Sequence, residues 1–274
     1  MSRPILFIFV ALALLLYTDL RWSKVRATSA DPAELGSSVH YDDWTRTLER
    51  FVDHEGLVDY EGLREDRAAL DRFVDRVHRV SPRSHPQLFD SQEEALAFYI
   101  NAYNALVFAE VLDLSPDVDT VWGRSGTGLK FFVRNKVVVG GEKLSLKKLE
   151  DDWIRAEFGD PRIHAALNCA SVGCPRLPRE PFLPETLDAQ LDAAMREFVA
   201  NPRNANVSSD GSKVSLSKIF DWFRGDFLDF ERAQGRPDST LVDYINRYRV
   251  ESEQIPTGAD VSFPAYDKRL NRQE

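Results

Sequence analysis

The chain has 274 residues, of which 43% are hydrophobic, enough to build one sizeable core. Its formal net charge is −9, and the charge becomes more negative without the first thirty residues, which carry four cations and one acid. Nucleic acids and anionic membrane surfaces are bound mainly through clustered lysines and arginines, so neither is an expected partner. No motif indicates a cofactor, and none is predicted.

Residues 1–30 have the pattern of a targeting segment. Arg3 precedes an apolar run over residues 5–17, which has the length of a signal-peptide core and is short for a membrane span. Small residues before position 31 offer cleavage sites, although the charged stretch ahead of them leaves an uncleaved N-terminal anchor as the alternative. We therefore expect an exported protein that is periplasmic, secreted or anchored, with membrane contact only through this segment.

The remainder, residues 31–274, is predicted to be one globular domain. Apolar residues at helical spacing predict helices around residues 44–52, 70–77, 146–154, 187–198, 218–223 and 241–248. Aromatic and β-branched residues predict strands at 129–139 and 142–146, separated by the turn residues Gly140 and Gly141. Asp210 and Gly211 indicate a second hairpin.

The run of residues 95–112 is apolar on nearly all sides and opens with a capping-box sequence, Ser91 to Glu94. It predicts a central buried helix. Because helices and hairpins mix without regular alternation, the pattern favours an α+β fold. We expect a single domain in which this helix packs against a small mixed or antiparallel sheet and surrounding helices.

Two asparagines interrupt the central helix on one face. Asn101 and Asn104 are three residues apart, so their amides are neighbours and need polar partners inside the core. The most polar segment elsewhere is residues 160–175. Its first part, 162–168, is predicted to be a buried strand with His164 and Asn168 on one face, followed by a loop that holds both cysteines.

Six segments along the chain carry a family resemblance. They are residues 58–60, 97–106, 160–175, 216–227, 245–248 and 266–271. Over these segments the chain resembles the domain-of-unknown-function 547 family, which includes exported bacterial proteins. That family usually has tryptophan where this chain has Lys268. The resemblance implies no settled activity, so the chemistry has to be argued from the residues.

One interpretation is a thiol enzyme. Cys169 would be the nucleophile and His164 its general base, which suits hydrolysis or acyl transfer. Asn168, Asn101 or Asn104 would be an orienting or oxyanion group. Papain-like and transglutaminase-like enzymes use similar groups, but their cysteine precedes the histidine in the chain. The order is reversed here, which weakens the analogy.

Two other interpretations concern the cysteines themselves. Imidazole and thiolates are good zinc ligands, but His164, Cys169 and Cys174 have no evident fourth ligand, so no metal is predicted. In an oxidising compartment, Cys169 and Cys174 are candidates for a disulfide. His164 would then be a hydrogen-bonded core residue.

The leading interpretation is a binding domain. A small polar ligand or a cell-envelope component would occupy a cleft beside the loop of His164, Cys169 and Cys174. The predicted ligand-binding residues are Asn101, Tyr103, Asn104, Ser171 and Cys174. Tyr99, Trp222 and Tyr266 are further candidates for the walls, together with Tyr103.

Glu150 precedes this segment on a predicted helix. It could pair with His164 or Arg162, but Asp151 and Asp152 follow it directly. A solvated acidic turn is therefore the favoured interpretation.

Overall fold

The core is organised by a long helix, Gln92–Leu112, in a computed structural model that describes residues 39–274. Its N-terminus is capped by Ser91, whose hydroxyl accepts the Glu94 amide at 3.1 Å. The Glu94 carboxylate turns to the amide of Asp90 instead of Ser91, so the capping box is only half formed. The predicted segment 1–30 lies outside the described residues.

The central helix is buried on every face, as its sequence predicts. By length and composition it could cross a membrane, but 83% of its apolar window is buried inside the domain, which is typical of a core helix. Its neighbours include the helix Ala68–Arg79 and the helical segment Leu149–Arg155. The apolar run therefore serves the core of a globular domain.

Most of the surrounding helices follow the predicted amphipathic patterns, but Tyr60–Glu65 and Arg224–Ala233 were not predicted. The bounds of the surrounding helices are Asp42–Phe51, Tyr60–Glu65, Ala68–Arg79, Leu187–Ala200, Lys218–Trp222, Arg224–Ala233 and Leu241–Asn246. Short 3₁₀ turns occupy Pro86–Leu88, Pro161–Ala165, Pro184–Thr186 and Glu251–Glu253. In the first helix Trp44, Leu48 and Phe51 are all buried, because they share one helical face.

Two segments are π-helical. The predicted helix around 146–154 begins at Leu146–Lys148, widens through Leu149–Arg155 and ends at Ala156–Phe158. The predicted strand 129–139 is wrong over its first half, where Leu129–Arg134 forms a single π turn. Aromatic residues suggested a strand there, but burial of the Phe131 side chain in the core decides the local conformation.

Two small sheets complete the fold. Strands β1 (Val137–Val139) and β2 (Glu142–Leu144) form the first predicted hairpin, with Val138 opposite Lys143. In the second sheet, β3 (Ala205–Val207) pairs antiparallel with β4 (Lys213–Leu216), and β4 pairs parallel with β5 (Asp260–Ser262). Both predicted hairpins and the α+β class are confirmed.

The predicted strand 162–168 is also wrong. Pro161–Ala165 is a 3₁₀ turn, and the Asp160 carboxylate accepts the Arg162 amide at 2.9 Å. Proline at the first position and an aspartate cap both favour a helical start, and they outweigh the period-two pattern. Ile163 packs into the core around the central helix, and Ala165 packs into a second core built by the C-terminal helices. His164 therefore lies where the two cores meet.

Candidate functional site

The loop of residues 168–175, hereafter the cysteine loop, is fastened to the central helix. The Asn104 side chain accepts the Asn168 amide at 2.8 Å and donates to the Ala166 carbonyl at 3.0 Å. Asn168 in turn accepts the Ala170 amide and donates to Pro175, both at 2.9 Å. Ala170 has a φ of 61°, a strained value for a residue with a side chain. The loop is thus held in a single unusual shape.

Asn101, one helical turn earlier, likewise forms hydrogen bonds with backbone groups of another segment. Its amide bonds to both the N–H and the carbonyl of Phe182, at 3.0 and 2.7 Å, and accepts the Trp44 indole N–H at 3.2 Å. Neither Asn101 nor Asn104 lines the cavity described below. The two asparagines find the partners that the sequence required, but these partners are backbone and indole groups of the protein itself.

The two cysteines lie side by side as free thiols, so the disulfide expected from the compartment is not formed. The Cys169 amide donates to Cys174 Sγ at 3.0 Å. The hydroxyl of Tyr266 contacts both sulfurs, at 3.3 Å from Cys169 and 3.1 Å from Cys174. Ser171 is buried beside them, where it accepts the Trp122 indole N–H at 2.8 Å. The loop, with its strained backbone at Ala170, therefore places the thiols of Cys169 and Cys174 against the hydroxyl of Tyr266.

The two thiols differ in acidity. The hydrogen bond with Cys174 and burial raise the pKa of Cys169 well above its ordinary value. Burial also acts to raise the pKa of Cys174, but hydrogen bonds from Cys169, Tyr266 and backbone amides outweigh it and leave that pKa lowered. Cys174, and not the predicted nucleophile Cys169, is the more acidic thiol.

His164 is anchored to an aspartate that the sequence interpretation missed. Its Nε2 lies 2.7 Å from Asp226 Oδ2, and its ring stacks on Phe223 with the centroids 4.0 Å apart. Burial lowers the pKa of His164 although Asp226 opposes this effect. The neutral ring then donates from Nε2 to Asp226 and keeps Nδ1 as an acceptor, a tautomer assigned from the hydrogen bond. No hydrogen bond joins His164 to Cys169 within residues 39–274.

Arg155 completes this anchor. Its guanidinium donates to both carboxylate oxygens of Asp226, at 2.8 and 2.9 Å, and to Asp151 at 2.6 Å. Burial acts to raise the pKa of Asp226, but the hydrogen bonds from His164 and Arg155 lower it well below its ordinary value. Asp226 is therefore charged at neutral pH and fixes the orientation of the imidazole.

A cavity of about 280 Å³ opens beside the cysteine loop. Apolar and aromatic side chains supply most of its wall, and a few polar groups reach it. Its lining consists of Tyr103, Trp122, Thr127, Phe132, Val133, Lys147, Glu150, His164, Leu167, Cys169, Cys174, Pro175, Ile219, Trp222, Phe223 and Tyr266. Among the predicted wall residues, Tyr103, Trp222 and Tyr266 are present, whereas Tyr99 is fully buried elsewhere in the core.

Glu150 is a cavity residue and not the solvated acid that its sequence neighbours suggest. Its carboxylate accepts the Tyr103 hydroxyl at 3.3 Å. Burial, aided by the charge of Asp151, raises the pKa of Glu150 to about 7. The sequence has three consecutive acids at 150–152 and does not indicate which of them lines the cavity. The geometry of the π-helical turn decides this.

Lys268 stands where the resembling family usually has tryptophan. Its ammonium donates to the Gly126 carbonyl at 2.7 Å and lies 5.1 Å from the centroid of the Trp122 ring. The lysine thus packs on the aromatic wall through a cation–π contact. Among the described residues, no group of three or more His, Cys, Asp and Glu side chains is placed to hold a metal ion.

Comparison with known families adds one finding. Residues 87–199 match the model of a family described as protein of unknown function, DUF547. This segment of the chain, hereafter the DUF547 segment, is thus similar to that family. No curated protein and no solved structure matches the chain.

The DUF547 segment includes the central helix, Glu150, His164 and both cysteines. Asp226, Trp222 and Tyr266 lie beyond residue 199, where the match to the family model ends. The cavity therefore combines the DUF547 segment with C-terminal residues that only folding brings to it.

Proposed function

We propose that the domain binds a small ligand, of cell-envelope or other origin, in the cavity beside the cysteine loop. The observation that carries this proposal is the convergence of Glu150, Tyr103 and His164 on a cavity whose remaining wall is mainly apolar. Ligand sites in proteins combine apolar walls with a few placed polar groups. The ligand would therefore have an apolar body and at least one hydrogen-bonding group.

The polar groups of the cavity determine which hydrogen-bonding groups the ligand needs. Glu150, with its pKa raised to about 7, accepts or donates a hydrogen bond according to its protonation state. His164 lines the cavity and, with its Nε2–H donated to Asp226, keeps Nδ1 as an acceptor. A ligand that carries both a donor and an acceptor satisfies this pair, while Trp222 and Tyr266 pack on its apolar part.

The test is a ligand-observed NMR screen with a chemically diverse fragment set. Hits should weaken about tenfold in Trp222→Ala, which removes a wall of the cavity. They should bind unchanged to Val250→Ala, because Val250 is an exposed apolar residue that does not line the cavity. Fragments that bind both variants equally, or a screen without any hit, would refute a binding role for this cavity.

A second candidate function is a thiol-dependent hydrolase or acyl transferase that uses Cys169 and His164. One observation favours it: a free thiol and an imidazole anchored by Asp226 line the same cavity. The required hydrogen bond between them is not formed, and the pKa of Cys169 is raised. Substrate binding would have to bring the thiol and the ring together.

Alkylation of the folded protein separates the two candidates. A thiol enzyme should show one cysteine that reacts rapidly near neutral pH and that loses this reactivity in His164→Ala. The binding proposal expects slow alkylation in both proteins. Mass mapping after the reaction identifies whether Cys169 or Cys174 carries the label.

A further inference from the structure

One segment of this acidic protein is basic. Residues 120–141 contain four cations and no acid, although the whole chain carries a net charge of −9. The cations are Arg124, Lys130, Arg134 and Lys136. The charge of the chain as a whole therefore conceals a local surface of the opposite sign.

The cations of this segment are available for binding. All four side chains are exposed, and none of them forms an ion pair with an acid in the part of the chain that the structure describes. The Lys136 ammonium donates to the Val133 carbonyl at 3.4 Å. This contrasts with Lys147, which is paired with Asp151 nearby.

Large apolar side chains are exposed at the same place. Leu129 is 44% exposed, Val133 36% and Trp222 46%. Val133 and Trp222 both line the cavity. Trp122 connects their elements through ring contacts with Phe132, at 5.3 Å between centroids, and with Trp222, at 6.0 Å. Elsewhere in residues 39–274, Val250 is the remaining large apolar side chain with comparable exposure.

The outward orientation of these residues is built into the fold. Phe131 is 2% exposed and anchors the π turn Leu129–Arg134 in the core. Gly128, with a φ of 64°, begins the turn. With Phe131 turned inward, two apolar and two cationic side chains remain on the outside of one turn.

We infer that Leu129, Lys130, Val133, Arg134 and Trp222, hereafter the basic apolar face, dock onto an anionic lipid surface. Arginine and lysine would bind phosphate groups of the lipids, while leucine and valine reach the acyl boundary. Tryptophan prefers the level of the headgroups. The acidic remainder of the chain would be repelled from the same surface, which sets the orientation.

An acidic protein is the alternative occupant, and the composition argues against it. In protein–protein interfaces arginine and tryptophan are enriched, whereas lysine is depleted and charged residues are depleted from the apolar centre. Arg134 and Trp222 therefore fit either occupant, and Lys130 together with the cations beside Leu129 and Val133 favours lipid. The basic apolar face mixes cations with aliphatic side chains, as surface-binding amphipathic segments do. Because Val133 and Trp222 also line the cavity, docking would present the cavity mouth to lipid.

The test measures quenching of Trp222 by brominated lipids, using the full chain and vesicles of phosphatidylcholine with or without phosphatidylglycerol. The Trp222 signal is the difference between wild type and Trp222→Phe. This readout is preferred to the bound fraction, because the N-terminal apolar run by itself could hold the chain on any vesicle. We expect quenching on anionic vesicles, weakening with added salt, and little on neutral ones.

Two pairs of variants decide the outcome. Lys130→Glu/Arg134→Glu should need more than about tenfold more anionic lipid for half-maximal quenching. The charge-matched control Lys213→Glu/Arg232→Glu should behave as wild type. Leu129→Ser/Val133→Ser should also weaken quenching, whereas Val250→Ser should not.

The inference is overturned if Trp222 is quenched equally on neutral and anionic vesicles, or if charge reversal changes nothing. Absence of quenching on either vesicle overturns it too. Binding of soluble polyglutamate through Lys130 and Arg134, without quenching on anionic vesicles, would assign the face to an acidic protein. None of these results depends on whether the cavity binds a ligand.

Discussion

A single carboxyl group inside an apolar cavity has a pH dependence that can be measured. Glu150 has one hydrogen-bond partner at 3.3 Å, and burial with Asp151 raises its pKa from 4.5 to about 7. Arg155 and Lys147 oppose this shift without cancelling it. A raised pKa means that the folded state holds the proton more tightly than the unfolded state does.

The free energy of unfolding of the wild type should therefore decrease as the pH rises from about 4.5 to about 7. Glu150→Gln lacks this titration, so its stability should gain about 1–2 kcal/mol relative to wild type between pH 5 and pH 8. Urea denaturation at a series of pH values measures the difference. The exposed neighbour Asp152→Asn is the control, and parallel pH profiles for Glu150→Gln and wild type would contradict the assignment.

Asp226 is the reverse case, since its pKa is lowered by hydrogen bonds from His164 and Arg155 although burial opposes them. A lowered pKa contributes stability that is present above the unfolded pKa of about 3.9 and is lost as the pH falls toward the folded value. The hydrogen bond between His164 and the charged Asp226 is therefore expected at neutral and mildly acidic pH.

Asp226→Asn should unfold about 2 kcal/mol more easily than wild type at pH 7, because Arg155 and His164 lose a charged acceptor. The difference should shrink below about pH 4, because the carboxylate of the unfolded wild type takes up a proton there while that of the folded wild type stays charged. Thermal unfolding followed by circular dichroism tests this. Asp229→Asn, an exposed acid on the same helix, should differ from wild type by less than about 0.5 kcal/mol at any pH.

At the scale of elements, the cysteine loop depends on a close approach to the C-terminal tail. A Cβ added at Gly173 would lie 2.7 Å from the Tyr266 ring. That ring carries the hydroxyl shared by both thiols. Glycine is required here by the lack of space and not by an unusual backbone angle.

Gly173→Ala should therefore push Tyr266 away, destabilise the fold by about 1–3 kcal/mol and accelerate alkylation of the thiols. Gly225→Ala is the matched control, because a Cβ there meets nothing within 4 Å and alanine favours the helix Arg224–Ala233. Urea denaturation and thiol titration report the two effects. Equal behaviour of the two variants would mean that Tyr266 does not close the site.

At the scale of the whole molecule, the tail of residues 264–274 joins distant parts of the domain. The Val58 and Val172 amides donate to tail carbonyls at 2.9 and 2.8 Å, and the Leu270 amide donates to Asp119 at 2.7 Å. Tyr60 donates to Asn271 at 2.9 Å. The tail thus connects residues 58–60 to the cysteine loop.

Deletion of residues 264–274 should lower the free energy of unfolding by more than about 3 kcal/mol, because buried amides lose their acceptors. Both thiols should then alkylate almost as fast as in unfolded protein. Removal of Glu274 alone is the control and should leave the alkylation rates of both cysteines unchanged. Slow alkylation after the larger deletion would show that the tail does not cover the cysteines.

The sequence alone predicted the elements whose signal is local. The Gln92–Leu112 helix is apolar on all sides, and Gly140 with Gly141 allows a tight turn, so both could be recognised without tertiary information. The strand predicted at 162–168 failed because alternation is a weak signal over a few residues. Asp160 and Pro161 dictated a helical turn instead.

The candidate site divides in the same way. Its sequence segment, with His164 and the two cysteines, was recognisable because unusual polar residues interrupt an apolar stretch. Only the tertiary structure supplied Asp226 and Glu150 as members of the site and reassigned Asn101 and Asn104 to backbone support. The physical reason is that a side chain's pKa and partners depend on what distant elements bring against it, and residue type and spacing carry no record of those contacts.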